Sequence, residues 1–267
     1  ALLPVSAASR TELERFLRLM ADYPSRPGKG LRGQLLLLSA RAHGAEPCSP
    51  GEAGAVVLAE ALELFQNWVL VHDDIEDDSD ERRGLPALHQ QTGMPVALNV
   101  GDAMHVAMWD HLRALPPLET YPQGAVLEEF ALMIMRTAAG QHLDLAWVEG
   151  GRFDVSEADY VTMVSLKTAY YTVVAPLRLG ALSAGAAPAE LLEAAGLDLG
   201  VAFQIRDDVL NLQAGAELGK EFAGDLYEGK RTLVLAHLLG HVSERDRQRV
   251  ISLLDRPRRS KQPREMA

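Results

Sequence analysis

Cysteine is nearly absent: Cys48 stands alone among 267 residues, which excludes an internal disulfide framework and a thiolate cluster for a structural metal. A reducing, cytoplasmic setting is the expectation. Positive charge is also in deficit, with 26 Lys and Arg against 37 Asp and Glu and a formal net charge of -11. That balance excludes nucleic acid and anionic membranes as general partners, although local basic sites remain compatible with it. Residues 1–9 contain no basic region followed by an apolar core, and no apolar run reaches transmembrane length without interruption. A soluble chain with no stable membrane insertion is expected. The sequence begins without Met, and residues 256–267 are basic and poor in apolar periodicity, so both ends are open to being incomplete.

Strand signals are equally scarce. The β-branched or aromatic pieces at residues 161–164 and 171–174 lie inside a helical pattern that continues through them. What is present throughout is helical periodicity, as in Leu13, Phe16, Leu17 and Met20, and again in Leu58, Leu62, Phe65 and Val69. Pro and Gly clusters at residues 24–33, 45–51, 84–95, 115–124 and 149–151 read as connecting turns. None is long or polar enough to be a flexible linker, and nothing repeats at a fixed period. One all-α domain over residues 1–267 is expected, with a hydrophobic content of 48% to supply its core.

Residues 61–84 read ALELFQNWVLVHDDIEDDSDERRG, an apolar helix that turns densely acidic within one turn. Asp73 and Asp77 are four residues apart, so their carboxylates share one face of the helix. An ordinary acidic run is a solvated helix end. This one follows three turns of apolar helix, where the macrodipole disfavours negative charge, so a cation is needed nearby. Mg²⁺ takes carboxylate oxygens and is commonly shared between one or two carboxylates and substrate phosphates. Arg82 and Arg83 follow directly and suit a phosphate that already carries the metal.

A second acidic pair, Asp207 and Asp208, sits in the apolar helical stretch FQIRDDVLNL, and two such helices facing each other could hold several ions around one diphosphate. Lys29 and Arg32 in RPGKGLRG, Lys167 in SLKTAY, and Lys220 and Lys230 flanking Asp225 in GKEFAGDLYEGKRT lie beside Gly or helix ends. Such turns can present a cation to a phosphate.

These segments resemble the trans-isoprenyl diphosphate synthases, the polyprenyl synthetase family. HDDIEDDSDERRG with the following LPALHQQTG and NVGDAMH is similar to the first Asp-rich motif and its continuation, FQIRDDVLNL to the second motif, and GKEFAGDLYEGKRT to the segment after it. The matches run over residues 28–239. The resemblance implies an all-α bundle around a deep central cavity, normally a homodimer, that uses up to three Mg²⁺ ions with isopentenyl diphosphate and an allylic prenyl diphosphate.

Carried over residue by residue, the resemblance implies that Asp73, Asp77 and Asp207 hold metal, with Asp74 and Asp208 in support. Arg82, Lys167, Thr168, Gln204, Lys220 and Lys230 match positions that hold the allylic diphosphate or line the reacting end of its chain. Lys29, Arg32, Gln66 and Arg83 match the isopentenyl diphosphate site, and Gln141 and Asp144 of GQHLD a further signature near the cavity. There are departures: Gly30 and Gly33 stand where Arg and Pro are common, Gln66 where His is common, and Asn211 replaces the last Asp of the second motif. The family usually extends past the present C-terminus with further helices.

The implied reaction is a head-to-tail condensation giving a short all-trans prenyl diphosphate, C20 favoured over C15. Trp68, five residues before Asp73, and Val69, four before, are positioned to face down the cavity and set its floor. Longer-chain synthases and cyclases of the same fold are the alternatives, a cyclase having no use for Lys29, Arg32 and Arg83. His72 and Asp73 also form an HD pair of the kind found in helical metal phosphohydrolases, but His43, His89, His105, His111 and His142 complete no evident ligand set for it. A regulatory subunit that had lost a metal site is disfavoured by the presence of both Asp pairs.

Overall fold

The computed structural model describes residues 6–117, 123–213 and 223–261. They form a helical bundle whose only described sheet is a hairpin of two two-residue strands. Helix α1 (Ala7–Ser25) is capped by Ser6, which accepts from the Ser9 backbone, and its last turn contains Pro24. The turn expected from residue 24 therefore starts after Ser25. Gly30 then adopts φ 55°, a left-handed conformation that costs a residue without Cβ little, and α2 (Leu31–Ala42) begins.

Helix α3 (Pro50–Glu76) has Ser49 as its cap and Pro50 in its first turn, where a missing N–H costs nothing. Its length and hydropathy are enough to cross a membrane, yet 56% of its apolar window is buried inside the protein. Leu58, Leu62 and Phe65 on that face are fully buried, and their packing against α2 and later helices makes α3 the centre of the core.

After α3 the chain forms strands β1 (Glu81–Arg82) and β2 (Leu85–Pro86), paired antiparallel. Arg83 and Gly84 between them both take positive φ, 54° and 75°, as a tight hairpin turn matched to strand twist requires. The region expected as one turn at residues 84–95 also contains α4 (Leu88–Thr92). Then come α5 (Met94–Leu112), which packs along α3, and α6 (Gln123–Glu149).

Helix α7 (Glu157–Val164) opens with a reciprocal cap between Ser156 and Asp159 and runs into a π-helical segment, Ser165–Val174. The sequence pattern is helical here, as expected, but the winding is wider than α. Two glycines bring neighbours unusually close to this segment: a Cβ on Gly140 of α6 would lie 2.2 Å from the Lys167 nitrogen, and one on Gly200 2.5 Å from the Ala169 Cα. Helices α8 (Ala175–Ser183) and α9 (Glu190–Asn211) follow, Gly200 belonging to α9. The described residues finish with α10 (Gly224–Glu228), α11 (Leu233–His241), α12 (Glu244–Leu254) and a 3₁₀ turn, Arg258–Ser260.

Candidate active site

A cavity of about 710 Å³ opens between α3, α6, the π-helical segment and α9. Phe65, Trp68, Val69, Ile134 and Ala138 line it with apolar surface, whereas Asp73, Gln141, Asp144, Lys167, Asp207 and Lys230 bring charge and polarity to it. Reactive polarity over an apolar pocket is the usual composition of a ligand site.

Asp73 lies in the last turn of α3 and Asp77 caps it, at the negative end of the helix dipole. Burial alone would raise the Asp73 carboxyl, but Lys167, Lys230 and Arg82 hold it below the usual carboxylate range. Lys167 Nζ lies 3.6 Å and Arg82 Nη2 3.3 Å from its oxygens, and Gln141 Nε2 donates to it at 3.3 Å. Asp77 turns instead toward Lys230, 2.6 Å away, which also pairs with Glu228 at 2.9 Å. Burial, with Asp73 and Glu228 nearby, pushes Asp77 up to about 7 against the pull of Lys230 and Lys167. Lys167 completes the cluster by donating to Asp144 at 2.5 Å.

Asp74 points away from the cavity and is fully buried. It accepts from the Tyr23 hydroxyl and from the Arg82 guanidinium, so Arg82 is held by two carboxylates rather than standing free. Arg26 donates to the carbonyls of Arg82 and Pro86 at 2.7 and 2.9 Å and fixes the hairpin that delivers both Arg82 and Arg83. Arg83 donates to the carbonyls of Tyr23 and Arg26 at 3.1 and 3.3 Å while lining the cavity.

Across the cavity, Asp208 repeats the arrangement of Asp74. It is buried, which raises its pKa, and accepts from the Tyr160 hydroxyl at 2.6 Å and from Gln204 at 2.7 Å. Asp207 faces the cavity one residue earlier. Asn211 accepts from the Asp225 backbone through its side chain at 3.2 Å, so it ties α9 to α10 rather than supplying charge.

Arg32 and Gln66 also reach the wall. Arg32 donates to the Thr172 hydroxyl at 2.8 Å and lies over the Tyr171 ring, while its Nε and the Gln66 Oε1 are buried with no hydrogen-bond partner among the described residues. Such atoms suit a polar ligand. Thr168 also lines the wall. Lys29 is exposed and is not among the residues that line the cavity, with its carbonyl accepting from Gln34 at 2.6 Å. The left-handed turn at Gly30 separates it from Arg32, which alone enters the cavity. Lys220 lies outside the described residues.

Carboxylate oxygens of this kind fit Mg²⁺. Among the described residues Asp73, Asp77 and Asp207 are not drawn into one three-ligand cluster, which fits ions that take part of their coordination from a ligand. The cations now on Asp73 and Asp77 show that this negative charge is compensated wherever a partner is within reach.

Sequence reasoning missed Tyr23, Arg26, Tyr160 and Glu228. The only available signal was indirect: Asp74 and Asp208 fall at buried helical positions and so require donors, and tyrosines on apolar helix faces are the natural source.

A polyprenyl synthetase family model matches residues 14–267. A short chain isoprenyl diphosphate synthase from Methanothermobacter thermautotrophicus is 37% identical, over 90% of this chain and 72% of that protein. A geranylfarnesyl diphosphate synthase from Natronomonas pharaonis is also 37% identical, over 79% of this chain and 64% of its own length. Among solved structures, a geranylgeranyl pyrophosphate synthase from Corynebacterium glutamicum, complexed with isoprenyl diphosphate and magnesium, superposes with a TM-score of 0.83 at 26% identity, covering 96% of this chain and 76% of that one.

Proposed function

The chain belongs to the polyprenyl synthetase family of prenyltransferases, and from that premise we propose that it condenses isopentenyl diphosphate head to tail with an allylic diphosphate to make a short all-trans prenyl diphosphate. The observation that carries this reading is the set of carboxylates and cations Asp73, Asp207, Lys167, Arg82 and Lys230 on the wall of a cavity that Phe65, Trp68, Val69, Ile134 and Ala138 line with apolar surface, Asp77 joining the set through its ion pair with Lys230. It suits a substrate with a diphosphate head and a hydrocarbon tail.

Asp73, Asp77 and Asp207 would hold Mg²⁺, which supplies Lewis-acid neutralisation of a diphosphate leaving group. Lys167, Arg82 and Lys230 are pre-placed to stabilise charge that grows on that diphosphate as its C–O bond breaks and the electron pair leaves with it. Thr168 and Gln204 put polar oxygens near the allylic carbocation, and the apolar wall keeps water from it. Arg32, Gln66 and Arg83 would fix isopentenyl diphosphate, whose double bond attacks the allylic carbon. The proton then lost passes to the released diphosphate, so no side-chain base is needed.

Trp68 and Val69 line the cavity below Asp73, the level of Trp68 being about 7.5 Å down the helix axis from the rise per residue. A large indole there supports a short product, with C20 as the favoured length. A C25 product is the competing outcome, since a geranylfarnesyl diphosphate synthase is among the relatives at 37% identity. The homodimer implied by the family resemblance belongs to this proposal, and the exposed Met94, Leu98 and Val106 of α5 with Met135 of α6 offer apolar surface for it. Incubation with Mg²⁺, isopentenyl diphosphate and C5, C10 or C15 primers, followed by mass spectrometry of the products, tests the assignment. Extension to C20 supports it, and absence of extension from every primer overturns it.

A further inference from the structure

The indole of Trp68 is held in place by more than its own helix. Its Nε1 is buried without a hydrogen-bond partner among the described residues, so no polar contact fixes its orientation. Ring packing does so instead. His105 of α5 lies flat against it, with centroids 3.9 Å apart and an interplanar angle of 7°. Phe65 and His72 meet it edge-on at 5.5 and 6.1 Å. Room for His72 depends on Gly101 of α5, where a Cβ would come within 2.3 Å of the His72 Nε2.

His105 is itself held. Its Nε2 accepts from Trp109 Nε1 at 2.9 Å, one turn further along α5, and Trp109 contacts Phe130 of α6 edge-on at 6.4 Å. Acceptance at Nε2 requires a neutral ring protonated at Nδ1. Burial lowers the His105 pKa, and His72 adds to that effect against the opposing influence of Asp102. Trp68 lines the cavity and His105 does not, so His105 stands behind the indole as seen from the ligand.

We infer that His105 is a positioning residue that sets product length, because its stack selects the Trp68 rotamer and hence the depth of the cavity floor. The inference rests on the proposed role of Trp68 as that floor. A tryptophan side chain has several staggered rotamers, and without a hydrogen bond at Nε1 only its ring contacts choose among them. Loss of the largest parallel contact lets the indole swing toward the space behind it, and the cavity lengthens.

The test compares the full chain with Trp68→Ala, His105→Ala, His105→Phe and His105→Gln, each given Mg²⁺, isopentenyl diphosphate and a C15 primer. Product lengths, kcat and KM for the primer are measured, with a thermal melt for each variant. In His105→Ala the share of products one isoprene unit longer rises roughly 2- to 10-fold, the population shift that loss of one aromatic stack allows. KM for the primer stays within about twofold, because the diphosphate contacts are untouched. His105→Phe restores the parent length by restoring a stacked ring. His105→Gln retains an acceptor for Trp109 but no ring, and behaves as the Ala variant. Parent-length products from His105→Ala while Trp68→Ala lengthens them overturn the inference and leave the floor standing. Unchanged products from Trp68→Ala overturn the floor and the inference together, and no extension by the parent chain overturns the activity. If His105→Ala does not fold, the Phe and Gln variants decide, and identical product spectra from those two refute the stack.

Discussion

Replacing Lys167 by Ala should separate what this residue does for the fold from what it does for the reaction. Lys167 contacts two carboxylates, Asp144 at 2.5 Å and Asp73 at 3.6 Å, and its own side chain is 19% exposed. Both partners raise its pKa above the ordinary lysine value against the burial that would lower it. Asp144 is the more deeply buried, at 4% exposure, and Lys167, its ion-pair partner at 2.5 Å, is lost when the residue is removed. An uncompensated buried charge of this kind costs about 3–5 kcal/mol. At about 2–4 °C per kcal/mol for a chain of this size, Tm falls by roughly 6–20 °C. Loss of a cation aimed at developing charge should also lower kcat by about 10²–10³-fold. The double variant Lys167→Gln, Asp144→Asn replaces the ion pair with a neutral hydrogen bond, so it should recover most of the Tm while kcat stays low. Differential scanning fluorimetry and a steady-state assay read the two effects separately. Recovery of activity along with Tm in the double variant would refute the argument, since a neutral pair has no charge to give a leaving diphosphate.

Three further outcomes follow from the same geometry. Asp77 has a folded pKa of about 7, above its ordinary value, so the metal-free folded state binds more protons than the unfolded state between about pH 4 and 7; stability should fall as pH rises through that window, and Asp77→Asn should flatten the Tm-against-pH curve. Tyr160→Phe removes a 2.6 Å hydrogen bond to buried Asp208 and should cost about 1.5–3 kcal/mol in urea unfolding with an unchanged m-value. Gly140→Ala places a methyl 2.2 Å from the Lys167 backbone nitrogen and should cost about 1–3 kcal/mol while lowering kcat, both measurable on the purified variant, because the π-helical segment must shift to accept it.

The helical architecture and the acidic end of α3 were legible because each is a local pattern. Periodicity reports which face of a helix is apolar, and an acidic cluster after an apolar run conflicts with the dipole whatever the rest of the chain does. The π winding over Ser165–Val174 was not legible, since Val161, Val164 and the residues after them keep an ordinary helical pattern while the backbone widens against Gly140 and Gly200. Lys29 and Arg32 show the same limit at a turn: they lie three residues apart in one Gly-rich segment, and only the left-handed φ at Gly30 decides which of them enters the cavity. The partners Tyr23 and Tyr160 are 51 and 48 residues from the carboxylates they bind, a distance at which sequence pattern carries no information about contact.

The two Asp pairs share a division of labour that follows from burial. In each, the residue after the candidate ligand is the inward, more buried member: Asp74 beside Asp73, away from the cavity wall, and Asp208 beside Asp207, still on the wall but buried. The inward member accepts a tyrosine hydroxyl and one further donor, Arg82 for Asp74 and Gln204 for Asp208. Consecutive residues on a helix point about 100° apart, so fixing the inward carboxylate fixes the direction of the outward one without a direct contact to it. The cations on the outward carboxylates come from different elements: Lys167 from the π-helical segment, Arg82 from the hairpin and Lys230 from the turn after α10. A diphosphate arriving with its metal would compete for these same charges, so binding would exchange one set of ion pairs for another rather than expose a bare acidic cluster.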